Sequence, residues 1–124
     1  MPGFRNFIHQ AHSRGVKLGI DTNRTEIGIR RVLNFFRLPD YFSPIMSSDD
    51  CAPKPNPAGA ERICAAWSAN PKQVIFIGDS ENDKEAATGA DVIFVAFGNS
   101  ALTGDIKVST YAKLEQILWD GADN

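Results

Sequence analysis

The sequence has few cysteines, little net charge and no long apolar run, and each shortage excludes a class of protein. Cys51 and Cys64 are its only cysteines. Since the N-terminus does not read as an export signal, we expect both to be reduced thiols in the cytoplasm. A net charge of −2 does not provide the excess of positive charge that is typical of nucleic-acid-binding proteins. No apolar run approaches the roughly 18–20 residues that span a bilayer, so neither nucleic acid nor a membrane is an expected partner.

What the sequence does contain is an alternation of short apolar strands and helical patterns. Its 124 residues fit one compact domain, residues 1–124. Helices are predicted between the strands from apolar residues at helical spacing, the first over 3–14 and the second over 25–37. This alternation predicts an α/β fold with a parallel sheet and flanking helices. The predicted strands are Val16–Ile20, Pro44–Ser47, Val74–Ile77, Val92–Phe97 and a short edge strand near Val108.

Two carboxylates follow the predicted strand Val74–Ile77. Gly78-Asp79-Ser80-Glu81-Asn82-Asp83 follows the apolar run Val74–Ile77 and precedes an alanine-rich helical stretch. Open α/β sheets place ligand sites at the carboxyl ends of their strands, and hard oxygen ligands suit Mg²⁺. The pattern therefore indicates magnesium and phosphate chemistry, with Asp79 and Asp83 as candidate metal ligands.

Two other loops carry polar groups that the same sheet edge should bring together. Thr22 follows the first strand and could donate a hydrogen bond to a phosphate oxygen. Lys54 lies in Lys54-Pro55-Asn56-Pro57 and could neutralise charge that develops in phosphoryl transfer. Each residue alone has a simpler interpretation: Thr22 as a turn residue, Lys54 as a solvated lysine, and the two aspartates as helix N-terminal acids.

Together, these motifs resemble those of the haloacid dehalogenase-like (HAD) hydrolases, in the phosphoglycolate phosphatase and β-phosphoglucomutase branch. Gly19-Ile20-Asp21-Thr22-Asn23 resembles the second motif of that family, Lys54–Pro57 the third and Gly78–Asp83 the fourth. The similarity covers roughly residues 2–118. It implies a Rossmann-like core and a Mg²⁺-dependent phosphatase acting on a phosphorylated small molecule.

The resemblance also implies roles for individual residues. Thr22, Asn23 and Lys54 would contact the phosphate, and Lys54 would also stabilise the nucleophile. Asp79 would hold Mg²⁺, while Asp83 would hold the metal through water or orient Lys54.

The family's first motif, Asp-x-Asp-x-Thr, has no counterpart at the expected place. Its first aspartate is the nucleophile and its second the general acid/base. The sequence starts with Met1-Pro2-Gly3, which resembles the point where the family's cap ends. We therefore expect an N-terminally truncated core without the first, central strand and without the cap. Either the strands on each side pair directly, or a dimer or a segment supplied in trans fills the space, or the sequence is part of a longer protein.

A rival alignment treats Asp21-Thr22-Asn23-Arg24-Thr25 as the first motif. Asp21 would then be the nucleophile, Asn23 could not act as acid/base, and Ser47 or Ser48 would take the place of Thr22. The family puts a longer stretch between those motifs, so we favour the assignment to the second motif. Asp21 nevertheless is the best candidate within the chain for a substitute nucleophile.

Three functional hypotheses follow from these motifs. The leading one is a HAD-type phosphomonoester hydrolase core, inactive alone if the nucleophile is missing. The second is a non-catalytic module that binds phosphate, Mg²⁺ or a partner. The third is a fragment of a longer phosphatase.

Overall fold

Short parallel strands alternate with helices along the chain, as the apolar pattern predicts. The computed structural model describes residues 2–120. The strands are β1 Leu18–Asp21, β2 Phe42–Met46, β3 Ile75–Gly78, β4 Ile93–Phe97 and β5 Ile106–Val108. The helices are α1 Phe4–Ser13, α2 Glu26–Phe35, α3 Ala58–Ala66, α4 Glu81–Gly89 and α5 Tyr111–Glu115, with a 3₁₀ turn at Pro71–Gln73 and a π-helical turn at Gln116–Asp120.

The first strand begins and ends later than its sequence pattern suggests. Gly15 has φ +78°, and the N–H of Val16 donates to the Ala11 carbonyl at 3.0 Å. This is a Schellman motif, in which a left-handed residue ends the helix and the next N–H returns to it. Val16 is therefore part of the α1 cap and not of the strand, which starts at Leu18 and includes Asp21.

The five strands form two separate parallel sheets. β1 pairs with β2, while β3, β4 and β5 form a three-stranded sheet in that order. Within residues 2–120, β1 and β3 do not pair, yet both line one cavity of about 950 Å³. We call this space the strand gap. The order β2-β1-gap-β3-β4-β5 overturns direct pairing of the two strands. It also argues against the rival alignment, which would make β1 a central strand paired on both sides.

Apolar faces of the helices cover both sides of these sheets. On one face, α1 and α5 contribute a buried cluster that includes Phe7, Ile8 and Leu114. On the other face, α3 and α4 contribute Ala60, Cys64 and Ala87. Burial on both faces explains why the strands read as continuous apolar runs.

Two further expectations concern the cysteines and the membrane. Both cysteines are free thiols, Cys51 half-buried and Cys64 buried. None of the helices in the described part of the chain is long and apolar enough to cross a bilayer.

Candidate functional site

Lys54 lies where the loops after β1 and β3 meet. Its Nζ is 2.8 Å from Asp83 Oδ1 and donates to the main-chain carbonyl of Asp21 at 3.0 Å. The carboxyl ends of parallel strands lie at one edge of a sheet, and the two sheets keep this relation across the strand gap. The loops predicted to converge are therefore together at this edge.

Asn23 fixes the main chain of the Lys54 loop. Its Oδ1 accepts the Lys54 N–H at 2.8 Å, and its Nδ2 donates to the Lys54 carbonyl at 3.2 Å. The side-chain amide is thus occupied with Lys54. A contact between Asn23 and phosphate stays a prediction, while its position indicates that it orients the lysine.

Asp83 accepts two hydrogen bonds at the start of α4. Besides the Lys54 ammonium, its carboxylate accepts the Asp79 N–H at 3.2 Å. The Ser80 hydroxyl caps the helix by accepting the Asp83 N–H at 3.1 Å. Gly78 is needed here because an added Cβ would lie 2.6 Å from Asp83 Oδ2. This arrangement fits the predicted role of Asp83 in orienting Lys54.

Asp79 presents an exposed carboxylate at the same edge. Its main-chain carbonyl accepts a hydrogen bond from Asn99 Nδ2 at 2.9 Å. Burial, and secondly the charge of Asp79, raise the pKa of the Tyr111 phenol. The sequence reasoning missed Asn99, although it follows β4 at the carboxyl edge and the rule that found the other loops also applies to it.

Asp21 ends β1, and its carboxylate is packed against α3. A Cβ added to Gly59 would collide with this carboxylate, and Oδ2 is buried without a hydrogen-bond partner among the described residues. Burial raises the pKa of Asp21, Lys54 opposes this effect and Asp83 adds to it. A carboxyl group that is packed against α3 and whose raised pKa favours the neutral acid is poorly placed to attack a phosphorus atom, and the substitute-nucleophile role of Asp21 stays a prediction.

The Thr22 hydroxyl donates its proton to no acceptor among residues 2–120. The main-chain N–H of Thr22 donates to the Met46 carbonyl at 2.9 Å, and its Oγ1 accepts the Arg24 N–H at 3.1 Å. A hydroxyl that accepts one bond can still donate one, as phosphate recognition requires. In the rival alignment Ser47 would take this role, but its buried hydroxyl donates to Asp50 at 3.0 Å.

The carboxylates at this edge fit a Mg²⁺ site only in part. Asp79 offers an exposed carboxylate and Asp21 Oδ2 is an unpartnered oxygen, whereas Asp83 is paired with Lys54. Within residues 2–120, no three His, Cys, Asp or Glu side chains are grouped so that they could hold an ion. Since Mg²⁺ commonly uses one or two carboxylates, with water and substrate phosphate completing its shell, Asp79 is the residue here best placed to hold it.

Comparison with known proteins agrees with the motifs. The family model for "Haloacid dehalogenase-like hydrolase" matches residues 1–97. The phosphoglycolate phosphatase of Pasteurella multocida is 31% identical over 100 residues, which cover 78% of this chain and 45% of that protein. The phosphoglycolate phosphatase of Cereibacter sphaeroides is 31% identical over 96 residues, which cover 77% of this chain and 44% of that protein. The chain thus spans about half the length of these curated relatives.

Solved structures show the same fold. A HAD-superfamily hydrolase, subfamily IA, from Geobacter sulfurreducens superposes with a TM-score of 0.86 at 31% identity, covering 94% of this chain and 55% of that one. A HAD-superfamily hydrolase from Ehrlichia chaffeensis superposes with a TM-score of 0.82 at 22% identity, and the match covers 94% of this chain and 56% of that one. The chain therefore belongs to the haloacid dehalogenase-like hydrolase family and is similar to its phosphoglycolate phosphatases.

Proposed function

We propose that this chain provides the phosphate-binding part of a Mg²⁺-dependent phosphomonoester hydrolase site. Thr22 donates its hydroxyl proton to a phosphate oxygen, and Lys54 neutralises charge on the phosphoryl group. Asp79 holds Mg²⁺, which when bound polarises the phosphoryl oxygen. Asp83 keeps the lysine in position, and Asn23 holds the backbone from which it extends.

The observation that carries this proposal is the position of the Lys54 ammonium. It is bonded both to the end of β1, through Asp21, and to the start of α4, through Asp83. The side chains of Lys54 and Asp83 are 15% and 11% exposed, so the ammonium is mostly removed from water. A solvated surface lysine would not be held by two elements in this way, and charge in a poorly solvated site acts strongly on a phosphate.

The charge balance of the site adds a requirement for the metal. The Lys54 ammonium is already paired with Asp83, Asp79 adds an exposed carboxylate at the same edge, and ionisation of Asp21 would add another negative charge. Repulsion by these carboxylates should keep a phosphate dianion away unless a divalent cation is present. We therefore expect inorganic phosphate to bind measurably with Mg²⁺ and far more weakly without it.

A second candidate function is a non-catalytic module that binds phosphate and Mg²⁺. The burial of Asp21 favours it, because the carboxylate of this candidate nucleophile is packed against Gly59 and its Oδ2 is buried without a hydrogen-bond partner among the described residues. Such a module would bind phosphate with the same Thr22 and Lys54 groups but would not turn over.

Hydrolysis of p-nitrophenyl phosphate with and without Mg²⁺ distinguishes the two. Activity lost in Asp79→Asn but kept in Asp21→Asn would indicate a metal site working with another nucleophile. Activity lost in both folded variants would support Asp21 as a replacement nucleophile. Phosphate binding without turnover in any of the three proteins would support the non-catalytic module.

The remaining parts of the proposal concern substrate and setting. Because the curated relatives are named phosphoglycolate phosphatases, phosphoglycolate is the natural substrate to assay beside the aryl phosphate. We also propose that the protein acts in the cytoplasm, where its two free thiols would stay reduced.

A further inference from the structure

Helix α2 carries apolar side chains on the face that points away from the sheets. Ile29, Val32 and Leu33 face inward and line the strand gap, at the spacing of one helix face. Ile27 and Phe35 lie on the opposite side of the helix, where they are 65% and 81% exposed. A single exposed apolar residue is ordinary in a globular protein, whereas two on the outward side of one helix suggest a surface that a partner covers.

Positive charge is concentrated on the same segment. Residues 24–37 contain four arginines and one glutamate, a net charge of +3 in a chain whose net charge is −2, so the rest of the sequence carries −5. The one glutamate, Glu26, already pairs with Arg30 at 2.9 Å. Arg31 and Arg37 are exposed and form no ion pair with any residue between 2 and 120. Two arginines next to exposed apolar side chains are therefore available to carboxylates of a partner.

Apolar and cationic side chains alternate along one stripe of α2. Ile27, Arg31 and Phe35 follow one another at intervals of four residues, which places them one above the other on a helix. At a rise of 1.5 Å per residue, the two apolar residues are about 12 Å apart along the axis, with Arg31 between them. We call these three residues the outer α2 face. It offers a partner two apolar contacts separated by one positive charge.

The Phe35 ring is supported from one side by its neighbour. It packs edge-on against Phe36, with ring centroids 5.0 Å apart and ring planes at 84°. The main-chain carbonyl of Phe36 accepts a hydrogen bond from Arg5 of α1 at 2.6 Å, and Arg5 also donates to the Arg37 carbonyl at 3.1 Å. These bonds fix the end of α2. A side chain that is already ordered loses little conformational entropy when a partner covers it, which makes Phe35 a suitable anchor.

Charge and area decide between the possible occupants of the outer α2 face. Two copies of this chain packed symmetrically through it would bring Arg31 of each copy close to the arginines of the other, and like charges in contact are unfavourable. A lipid surface would meet a helix of 10 residues that turns two apolar side chains outward, which is little apolar area for interfacial binding. A polypeptide segment that carries both carboxylates and apolar side chains fits the charge and the spacing together.

We propose that the outer α2 face binds an acidic amphipathic helix of another protein. Apolar residues seven apart on such a helix are separated by about 10 Å, close to the separation of Ile27 and Phe35. Glutamates or aspartates beside them would pair with Arg31 and Arg37, whose guanidinium groups suit carboxylates. Aromatic and arginine side chains commonly contribute most of the binding energy of an interface. None of these residues belongs to the phosphate site, so the proposal does not depend on phosphate chemistry.

Titration of the isotope-labelled chain with a synthetic peptide, followed by NMR amide shifts, tests this proposal. The probe is an alanine-rich helical peptide with leucines at heptad spacing and glutamates on each side of them. The control peptide has lysine in place of every glutamate. We expect the acidic peptide to shift amides of α2 and the lysine peptide to leave them unchanged. Binding should weaken as salt is added, because salt screens exposed charges.

Two variants of the outer α2 face have matched controls elsewhere in the chain. Phe35→Ser and Arg31→Gln should each weaken binding of the acidic peptide by about tenfold or more. Ile117→Ser changes another exposed apolar residue, and Lys72→Gln another exposed cation; both should bind like the parent chain. Since all four side chains are exposed, these variants should fold, and circular dichroism checks that they do.

Three outcomes would overturn the proposal. One is absence of binding by the acidic peptide, and another is binding that Phe35→Ser and Arg31→Gln leave unchanged. The third is a different occupant: association with vesicles of equal parts phosphatidylcholine and phosphatidylserine, or self-association in sedimentation, that the parent chain shows and Phe35→Ser loses. Since neither phosphate nor Mg²⁺ is present in these experiments, such failure leaves the proposed hydrolase function separately testable.

Discussion

Replacing Lys54 by methionine should destabilise the fold far more than the same change at Lys72. Both lysines form an ion pair of nearly the same length, 2.8 Å for Lys54 with Asp83 and 2.7 Å for Lys72 with Asp91. The side chains of the first pair are 15% and 11% exposed, and those of the second 67% and 69%. Burial is thus the main difference between the two.

The expected magnitude follows from the groups that Lys54 leaves behind. Asp83 keeps only the Asp79 N–H among its described donors, and the Asp21 carbonyl loses its bond to the ammonium. A buried polar group left unsatisfied costs about 1–3 kcal/mol, and a buried ion pair that loses one partner costs about 3–5 kcal/mol. Since this pair is not fully buried, we expect about 2–4 kcal/mol for Lys54→Met. Lys72→Met should cost about 0–1 kcal/mol.

Urea unfolding followed by circular dichroism measures both changes. The double variant Lys54→Met/Asp83→Leu should recover part of the loss, because it removes the isolated charge together with its partner. Equal free energies of unfolding for Lys54→Met and Lys72→Met would refute the view that the ion pair is a buried link between β1 and α4. The same view would be refuted if the double variant lost as much unfolding free energy as Lys54→Met and Asp83→Leu lose together when measured singly.

Three further changes test the surroundings of the site. Ser80→Ala removes the N-cap that accepts the Asp83 N–H and should lower the free energy of unfolding in urea by about 1 kcal/mol; no loss would mean that α4 does not need this cap. Gly59→Ala brings a methyl group against the Asp21 carboxylate and should cost about 1–3 kcal/mol; Asp21→Ala in the same protein should relieve it, and an additive loss would contradict the contact. Burial raises the pKa of Asp21, so its contribution to stability is complete below the unfolded-state pKa and is lost as pH rises through the folded-state value. Asp21→Asn should therefore gain stability relative to the parent chain between about pH 3.5 and pH 7, and a constant difference over that range would contradict the assignment.

The convergence of the site loops could be predicted because it depends on topology alone. Alternating strands and helices imply parallel strands, and parallel strands place their following loops at one edge. Thr22, Lys54 and Asp79 were assigned to that edge without knowledge of any side-chain contact. The separation of β1 from β3 was not settled by the sequence: motifs resembling the second and fourth of the family stand on strands that normally flank a central one, but direct pairing of the two strands was left open.

The details of side-chain pairing could not be predicted in the same way. Asn23 was expected to contact phosphate, yet its amide binds the Lys54 backbone, which depends on how two loops approach each other. The start of β1 at Leu18 depends on a helix cap that uses Val16, and strand periodicity does not report caps. The burial of Asp21 against Gly59 depends on where α3 packs, which a single sequence does not specify.

The central claim is that the Thr22 loop, together with Lys54 and Asp79, binds a phosphate group in the presence of Mg²⁺. Calorimetric titration of inorganic phosphate into the chain with Mg²⁺ tests it most directly, with Thr22→Val and Thr22→Ser compared in parallel. Valine removes the hydroxyl donor at nearly constant shape, and serine keeps it. We predict that Thr22→Val weakens phosphate binding about tenfold while Thr22→Ser stays close to the parent chain. Equal affinity in all three proteins, or no phosphate binding by the parent chain with Mg²⁺, would contradict the account.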